Sequence, residues 1–302
     1  MNMNILYIKQ KLAKIIWKKW VNFLSFLWRK TFLKLLKFVR RIKLLFFKIP
    51  ILKDIYIWKH HFYLRLNPKN WFVDEEFFLH GIYEKNIYSI MIKNIKDGDT
   101  FVDIGANIGI YTNFIPQLVW EKWKVIAFEP ISKIYNQNMK SIQANKYTNV
   151  TLYNLACSNK KQETKIYFKE GNIWWSHIGK QEILGDVEEN SEIIKAIIWD
   201  DILLKENKID FIKVDTEWYE WKVLQWIQKV INRDKPKIII EFAPHQYQWD
   251  DAKNILKFLW KHYSKVYLIE YKKTLQIDGN FSKDQYKKLL DLEYVNLFFY
   301  HN

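Results

Sequence analysis

Residues 101–109, Phe-Val-Asp-Ile-Gly-Ala-Asn-Ile-Gly, constrain the fold of this chain more than any other stretch. Phe101 to Ile104 read as a buried strand carrying one acid, Asp103. Gly105, Asn107 and Gly109 then break the apolar run, and a helix begins. A strand that turns through glycine into a helix presents bare backbone and a helix N-terminus to a small ligand. Val125 to Phe128 read as a second buried strand, ending in Glu129. An acid at the tip of the second strand of such a unit is placed to accept both hydroxyls of a ribose. The two segments together predict a pocket for an adenosine-bearing cofactor.

The glycines decide which one. A dinucleotide fingerprint needs Gly-x-Gly-x-x-Gly so that a pyrophosphate can sit on the turn. Asn107 stands at the second glycine position and Ile110 at the third, which disfavours a nicotinamide-dependent oxidoreductase. Asp-x-Gly-x-Asn-x-Gly instead resembles the first motif of class I S-adenosylmethionine-dependent methyltransferases, which bind an amino-acid tail. By that resemblance Asp103 and the backbone of Gly105, Ala106 and Asn107, in the turn closed by Gly109, hold the methionine end. Glu129 takes the ribose, and Ala156 and Cys157, after the third strand, border the adenine.

Strand-like runs at 100–104, 124–129, 150–155, 209–214, 236–242, 265–270 and 294–300 alternate with helical patterns. That alternation predicts a parallel sheet with helices on both faces, the last run lying antiparallel at or near an edge. Val73 to Ile95 read as a helical stretch and the residues from Pro50 to about 70 as a junction. A hairpin-like run at 164–168 leads into a polar insertion at 170–190.

Six segments, in order, are similar to the FkbM-type methyltransferase family: Gly-Ile-Tyr-Glu at 81–84, residues 98–109, Val-Ile-Ala-Phe-Glu-Pro at 125–130, Asn-Leu-Ala at 154–156, residues 209–217, and Ile-Ile-Glu-Phe at 239–242. The resemblance covers about 81 to 300. It implies an α/β, Rossmann-like class I methyltransferase fold, a seven-stranded mostly parallel sheet with one antiparallel strand. It also implies S-adenosyl-L-methionine as donor and an oxygen acceptor on a sugar or other hydroxylated metabolite. The expected organisation is a basic amphipathic helical segment at 1–50, a junction and leading helix at 51–95, and the methyltransferase domain at 96–302.

Charge separates the first segment from the rest. Of a net +15, residues 1–50 carry 13 Lys and Arg with no Asp or Glu, leaving +2 for the other 252 residues. Ile8, Leu12 and Ile15 recur on one helical face beside Lys11, Lys14 and Lys18. Phe32, Leu35, Leu36 and Val39 do the same against Lys30, Lys34, Lys37 and Arg41. A basic amphipathic helix with large aromatics suits an anionic membrane surface, lying in its plane. A helical cap or oligomerisation element, a nucleic-acid-binding arm and a partly disordered leader compete with that reading. No base-reading motif accompanies the charge, so no nucleic acid partner is expected. No signal peptide and no run of 18 uncharged apolar residues is evident, and a single cysteine suits a reducing compartment. The expected location is the cytoplasm, peripheral at the inner membrane face.

Glycine and tryptophan counts are both anomalous. The chain has 8 Gly and 15 Trp, where average usage gives about 21 Gly in this length. Trp218, Trp221, Trp226, Trp120 and Trp123 stand where the family pattern or a turn favours glycine. We read this as tryptophan written at UGA codons that the source translates as glycine. UGG codons at 123 and 218 would end that reading.

Asp215 and Glu217 flank Thr216 at the carboxyl end of the fourth strand, beside the cleft where open sheets bind ligands. Asp215 is the candidate general base or acceptor-orienting group, with Glu217 and Glu241 next. Helix capping or pairing with Lys213 would equally place acids there. Two carboxylates invite a divalent cation, but no third oxygen ligand stands at fixed spacing, so no metal is expected. His177 and His245 lie in loops expected near the acceptor. The alternative to an enzyme is a membrane-recruited binding module that keeps the cofactor fold and methylates nothing. If residues 1–48 are the membrane element, the full chain sediments with anionic vesicles, and a chain lacking them stays in the supernatant.

Overall fold

The computed structural model describes residues 48–68, 72–118, 124–169, 172–178, 190–247, 249–269, 274–278 and 283–301. The chain divides into two units, Met1–Lys48 and Ile49–Asn302, and all described residues but Lys48 belong to the second. The basic segment, Trp120, Trp123 and most of the 170–190 insertion lie outside the described residues.

An antiparallel hairpin comes first, β1 (Ile51–Ile57) and β2 (His60–Leu66), closed by the two-residue turn Trp58-Lys59. The sequence reading placed a junction here. Its signal was the period-2 alternation that buries Ile55, Ile57, Phe62, Leu64 and Leu66. Two helices follow, α1 (Phe72–His80) and α2 (Lys85–Asn94). The single helical stretch expected at 73–95 is broken at Gly81–Glu84, where Gly81 and Glu84 both have positive φ.

The alternating part begins with β3 (Thr100–Ile104), α3 (Ile110–Phe114), β4 (Lys124–Phe128), α4 (Ser132–Asn145) and β5 (Val150–Tyr153). Next come β6 (Ala156–Cys157), β7 (Gln162–Lys169), β8 (Asn172–Ile178) and β9 (Asn190–Ile197), which form a separate sheet in the order β6-β9-β7-β8. The chain then returns through α5 (Asp200–Leu203), β10 (Phe211–Val214), α6 (Glu220–Trp226), α7 (Gln228–Asp234) and β11 (Lys237–Phe242). It closes with α8 (Trp249–His262), β12 (Lys265–Ile269), β13 (Thr274–Asp278), α9 (Lys283–Leu290) and β14 (Val295–Tyr300).

The main sheet runs β13-β12-β14-β11-β10-β3-β4-β5. The pairs among β11, β10, β3, β4 and β5 are parallel, and β14 is antiparallel to both of its neighbours. These are the seven expected strands with the expected antiparallel member, and β13 adds an eighth at the edge. β14 lies inside the sheet rather than at its rim. Five of its six residues are buried, as a strand covered on both faces requires.

One face of the sheet (Val102, Ile104, Ile126, Phe128, Ile212, Val214, Ile238, Ile240) packs on Val223, Leu224, Val230, Ile231, Ile255 and Leu259 from α6, α7 and α8. The β1–β2 hairpin is secured by side chains of α4 that satisfy an open strand edge. Asn145 accepts from the Tyr63 N–H at 2.7 Å and donates to the Tyr63 carbonyl at 2.8 Å. Ser141 Oγ accepts from the Arg65 N–H at 2.8 Å, and Gln137 donates to the Arg65 carbonyl at 2.7 Å. Among the described residues no helix is long and apolar enough to cross a membrane.

Among the described residues two tryptophans sit in left-handed backbone, Trp58 at φ 52° and Trp218 at φ 74°. That conformation favours glycine, which is what the tryptophan-for-glycine reading expects. Trp221 and Trp226 do not share the property, since both lie within α6 and neither has positive φ. Trp58 is half exposed, so little packing is lost on its removal. Trp58→Gly is therefore expected to raise stability by about 1 kcal/mol through relief of backbone strain, read as a higher urea midpoint at unchanged slope.

Candidate active site

The carboxyl ends of β3, β4, β10 and β11 converge on a cleft of about 300 Å³. β3 is followed on one side by β4 and on the other by β10. The chain therefore leaves the two strand ends in opposite directions and opens a crevice between them. The small sheet supplies part of one wall, through Ile166 and Ser176.

The glycine turn is built by close approach. A Cβ on Gly105 would stand 1.8 Å from the Asp215 carbonyl oxygen, and one on Gly109 would stand 2.0 Å from Asn138 Oδ1. Both residues have positive φ. Gly105 thus lets the ends of β3 and β10 touch, and Gly109 lets α4 come up against the start of α3. The N–H groups of Gly105 and Ala106 donate to the Phe128 carbonyl at 3.1 and 2.9 Å, which ties the turn to β4.

Glu129 completes the tie. Its Oε2 accepts from the Asn107 N–H at 2.9 Å and its Oε1 from the Ile131 N–H at 2.8 Å. Burial pushes this carboxyl up to about 7, although both N–H bonds pull it down. Each oxygen keeps a further lone pair, and the side chain lines the cleft.

Of the residues named from sequence, Gly105, Ala106, Asn107, Glu129, Ala156, Cys157, Asp215, Glu217 and Glu241 all line this cleft. Asp103 and Gly109 stand behind it. Asp103 is buried, accepts from Thr112 Oγ1 at 2.7 Å through Oδ2, and has no hydrogen-bond partner on Oδ1. Burial pushes the Cys157 thiol up, which suits a packing role. His245 is exposed and away from the cleft wall, and the side chain of His177 lies outside the described residues.

The sequence reading offered Lys213 only as a structural partner for the strand-end acids; the structure shows that pairing and puts the lysine at the centre of the site. Lys213 sits in mid-sheet, only 2% exposed, paired in register with Asp103 on β3. Its Nζ donates to Asp215 Oδ2 at 2.6 Å and lies 4.8 Å over the Tyr111 ring. Burial alone would lower this ammonium, but Asp215, Glu84 and Asp103 more than offset it and hold it above the ordinary lysine value. Glu84, in left-handed backbone before α2, accepts from Tyr111 Oη at 2.7 Å, and from Tyr294 Oη and Asn296 Nδ2 at 3.1 Å each. Burial raises the Glu84 carboxyl and Lys213 pulls it back. A lone lysine in the strand Phe-Ile-Lys-Val was the one sequence signal for this centre.

Burial, then the nearby Asp215 charge, pushes Glu217 and Glu241 well above the usual carboxylate range. Glu217 and Trp218 occupy left-handed backbone in succession, at φ 50° and 74°, and the Trp218 indole donates to Gln246 Oε1.

An open sheet with one internal antiparallel strand, and a ligand cleft at the switch between β3 and β10, defines a class I methyltransferase-like α/β protein. The chain belongs to the methyltransferase FkbM domain family, whose model matches residues 103–267, more than half of its length. The cofactor of that family is S-adenosyl-L-methionine. No curated protein matches the chain in sequence. In structure it is similar to methyltransferase FkbM from Methylobacillus flagellatus KT, at 17% identity and TM-score 0.45, over 68% of this chain and 44% of that one. It is also similar to a putative rRNA-methylase from Clostridium thermocellum, at 12% identity and TM-score 0.42, over 70% and 92% of the two chains. An S-adenosylmethionine-dependent O-methyltransferase from Thermotoga maritima gives 12% and 0.39, over 76% and 71%. The chain thus spans less than half the length of the FkbM structure it matches, and the family assignment rests on the sequence match.

The residues present suit this cofactor. Glu84, Glu129, Asp215, Glu217 and Glu241 face the cleft against one lysine, a wall that favours a cationic ligand. Because the Glu129 carboxyl is raised, the folded protein binds its proton more tightly than the unfolded chain between about pH 4.5 and 7. Stability of the donor-free protein is therefore expected to fall as pH rises through that window. Glu129→Gln should reduce the slope in urea unfolding followed from pH 5 to 8.

Proposed function

We propose that this chain is an S-adenosylmethionine-dependent O-methyltransferase acting on a hydroxyl of a glycan, glycolipid or related metabolite. The observation that carries the reading is the joining, in one cleft, of a glycine turn and Glu129 with the carboxyls of Asp215, Glu217 and Glu241. When bound, the cofactor supplies an electrophilic methyl group on a sulfonium.

Glu129 offers its two outer lone pairs to the ribose, in an orientation set by the N–H groups of Asn107 and Ile131. The backbone of Gly105–Asn107 receives the methionine end, with the Oδ1 of Asp103 as a buried acceptor behind it. Ala156 and Cys157 border the base from the edge of the small sheet. On the other side of the cleft Asp215, held by Lys213, orients the acceptor hydroxyl and takes its proton. The Glu217 and Glu241 carboxyls, raised by burial and by the charge of Asp215, stand beside it. Positioning of acceptor and donor in line supplies most of the rate. Residues 1–50, with 13 basic side chains and no acid, hold the enzyme at an anionic membrane surface where a lipid-linked acceptor would lie.

Calorimetry separates the two halves of the cleft. Glu129→Ala should weaken S-adenosylmethionine binding by about tenfold or more, the effect of losing hydrogen bonds to a charged group. Asp215→Asn should retain donor binding and lower labelled methyl transfer into a glycan or lipid extract by about a hundredfold or more. Equal donor affinity in Glu129→Ala would remove the ribose assignment.

A further inference from the structure

The proposed acceptor side gathers three carboxyl groups from separate parts of the chain. Asp215 follows β10, Glu217 lies in the next turn, and Glu241 comes from β11. Spacing in the sequence does not reveal the third acid, because another strand brings it in. Each offers a carboxylate oxygen, and these oxygens all lie within 4.8 Å of one another. Oxygens on opposite sides of a six-coordinate Mg²⁺ or Mn²⁺ stand about 4.2 Å apart and neighbouring ones about 3 Å. The three carboxylates can therefore share one ion with little movement.

A fourth acid, Glu220, stands beside this set. Glu220 is fully buried; its Oε1 accepts from the Thr216 N–H at 2.7 Å and from Thr216 Oγ1 at 3.0 Å. Its Oε2 is buried with no hydrogen-bond partner. That carboxyl sits close enough to push up both Glu217 and Glu241. Lys213 Nζ bonds Asp215 through Oδ2. A buried, under-compensated carboxylate set is costly unless paired or bound to a metal.

We propose that Asp215, Glu217 and Glu241 bind one divalent, oxygen-preferring cation of the Mg²⁺ or Mn²⁺ class. The inference rests on the methyltransferase reading for its purpose. An ion held there has open positions toward the cleft, and an acceptor hydroxyl in one of them would lose its proton more readily. The acceptor class narrows accordingly to polyhydroxylated molecules, which offer a second oxygen to the same ion.

Mn²⁺ alone, titrated into the full chain and followed by the paramagnetic resonance of the free ion, tests the site without turnover. One saturable site per chain is expected, weakened at least tenfold in Glu217→Gln and in Glu241→Gln. Thermal unfolding of each variant should retain a cooperative transition, and Glu217, at the cleft wall, is the safer replacement for folding. No saturable Mn²⁺ site, or equal affinity in both folded variants, overturns the proposal. Calorimetry with S-adenosylmethionine on chelator-treated protein keeps the two readings apart. Donor binding without a Mn²⁺ site overturns the metal alone, whereas loss of donor binding by the untreated full chain overturns the methyltransferase reading on which it rests.

Discussion

A buried ammonium holds this site together. Lys213 lies in the middle of a parallel strand that is otherwise apolar, with 2% of its surface exposed. An isolated charge at that depth would be strongly unfavourable. It is tolerated because Asp103 faces it across the β3–β10 register, Asp215 accepts a hydrogen bond from its ammonium, and Glu84 adds a third negative charge. The Tyr111 ring supplies a polarisable face at 4.8 Å. Removing any one partner leaves charge uncompensated, so the acids around the lysine are structurally coupled before any ligand enters.

That coupling links the two sides of the cleft. Asp103 belongs to the strand that ends in the glycine turn, and Asp215 is the first residue after β10. Gly105 allows their ends to meet at a distance that no side chain would permit. Glu129 then fixes the turn through the Asn107 N–H. The glycine turn and the Asp215 end of the cleft are therefore built from the same few contacts. The strained pair Glu217-Trp218 lines the same cleft, where left-handed backbone is held by surrounding structure rather than preferred locally.

The strands of the main sheet were legible because each is a short apolar run bounded by turn residues, and the two acids that interrupt or end them, Asp103 and Glu129, stand out against that background. The β1–β2 hairpin was less legible because its outward face carries Leu52 and Tyr56 and its turn carries Trp58, which blur the alternation. The interior place of β14 was hidden as well, since strand order across a sheet depends on pairing between distant segments. Glu84, Tyr111 and Tyr294 escaped for the same reason. They come from a loop before α2, from α3 and from the turn before β14, and only folding brings them onto one carboxylate.

The sequence by itself determined the local chemistry: a glycine turn after a buried strand, an acid one strand away, and a basic segment apart from the nearly neutral remainder. Those properties depend on neighbours within a few residues, where periodicity and backbone preference act. The tertiary structure decided what the acids face. It placed Asp103 behind the cleft wall, turned the bare Cα of Gly105 toward Asp215, and drew Glu241 to within reach of Asp215 and Glu217. Charge acts through space, so the burial and pairing that set the behaviour of these groups exist only once strands far apart in the chain lie side by side.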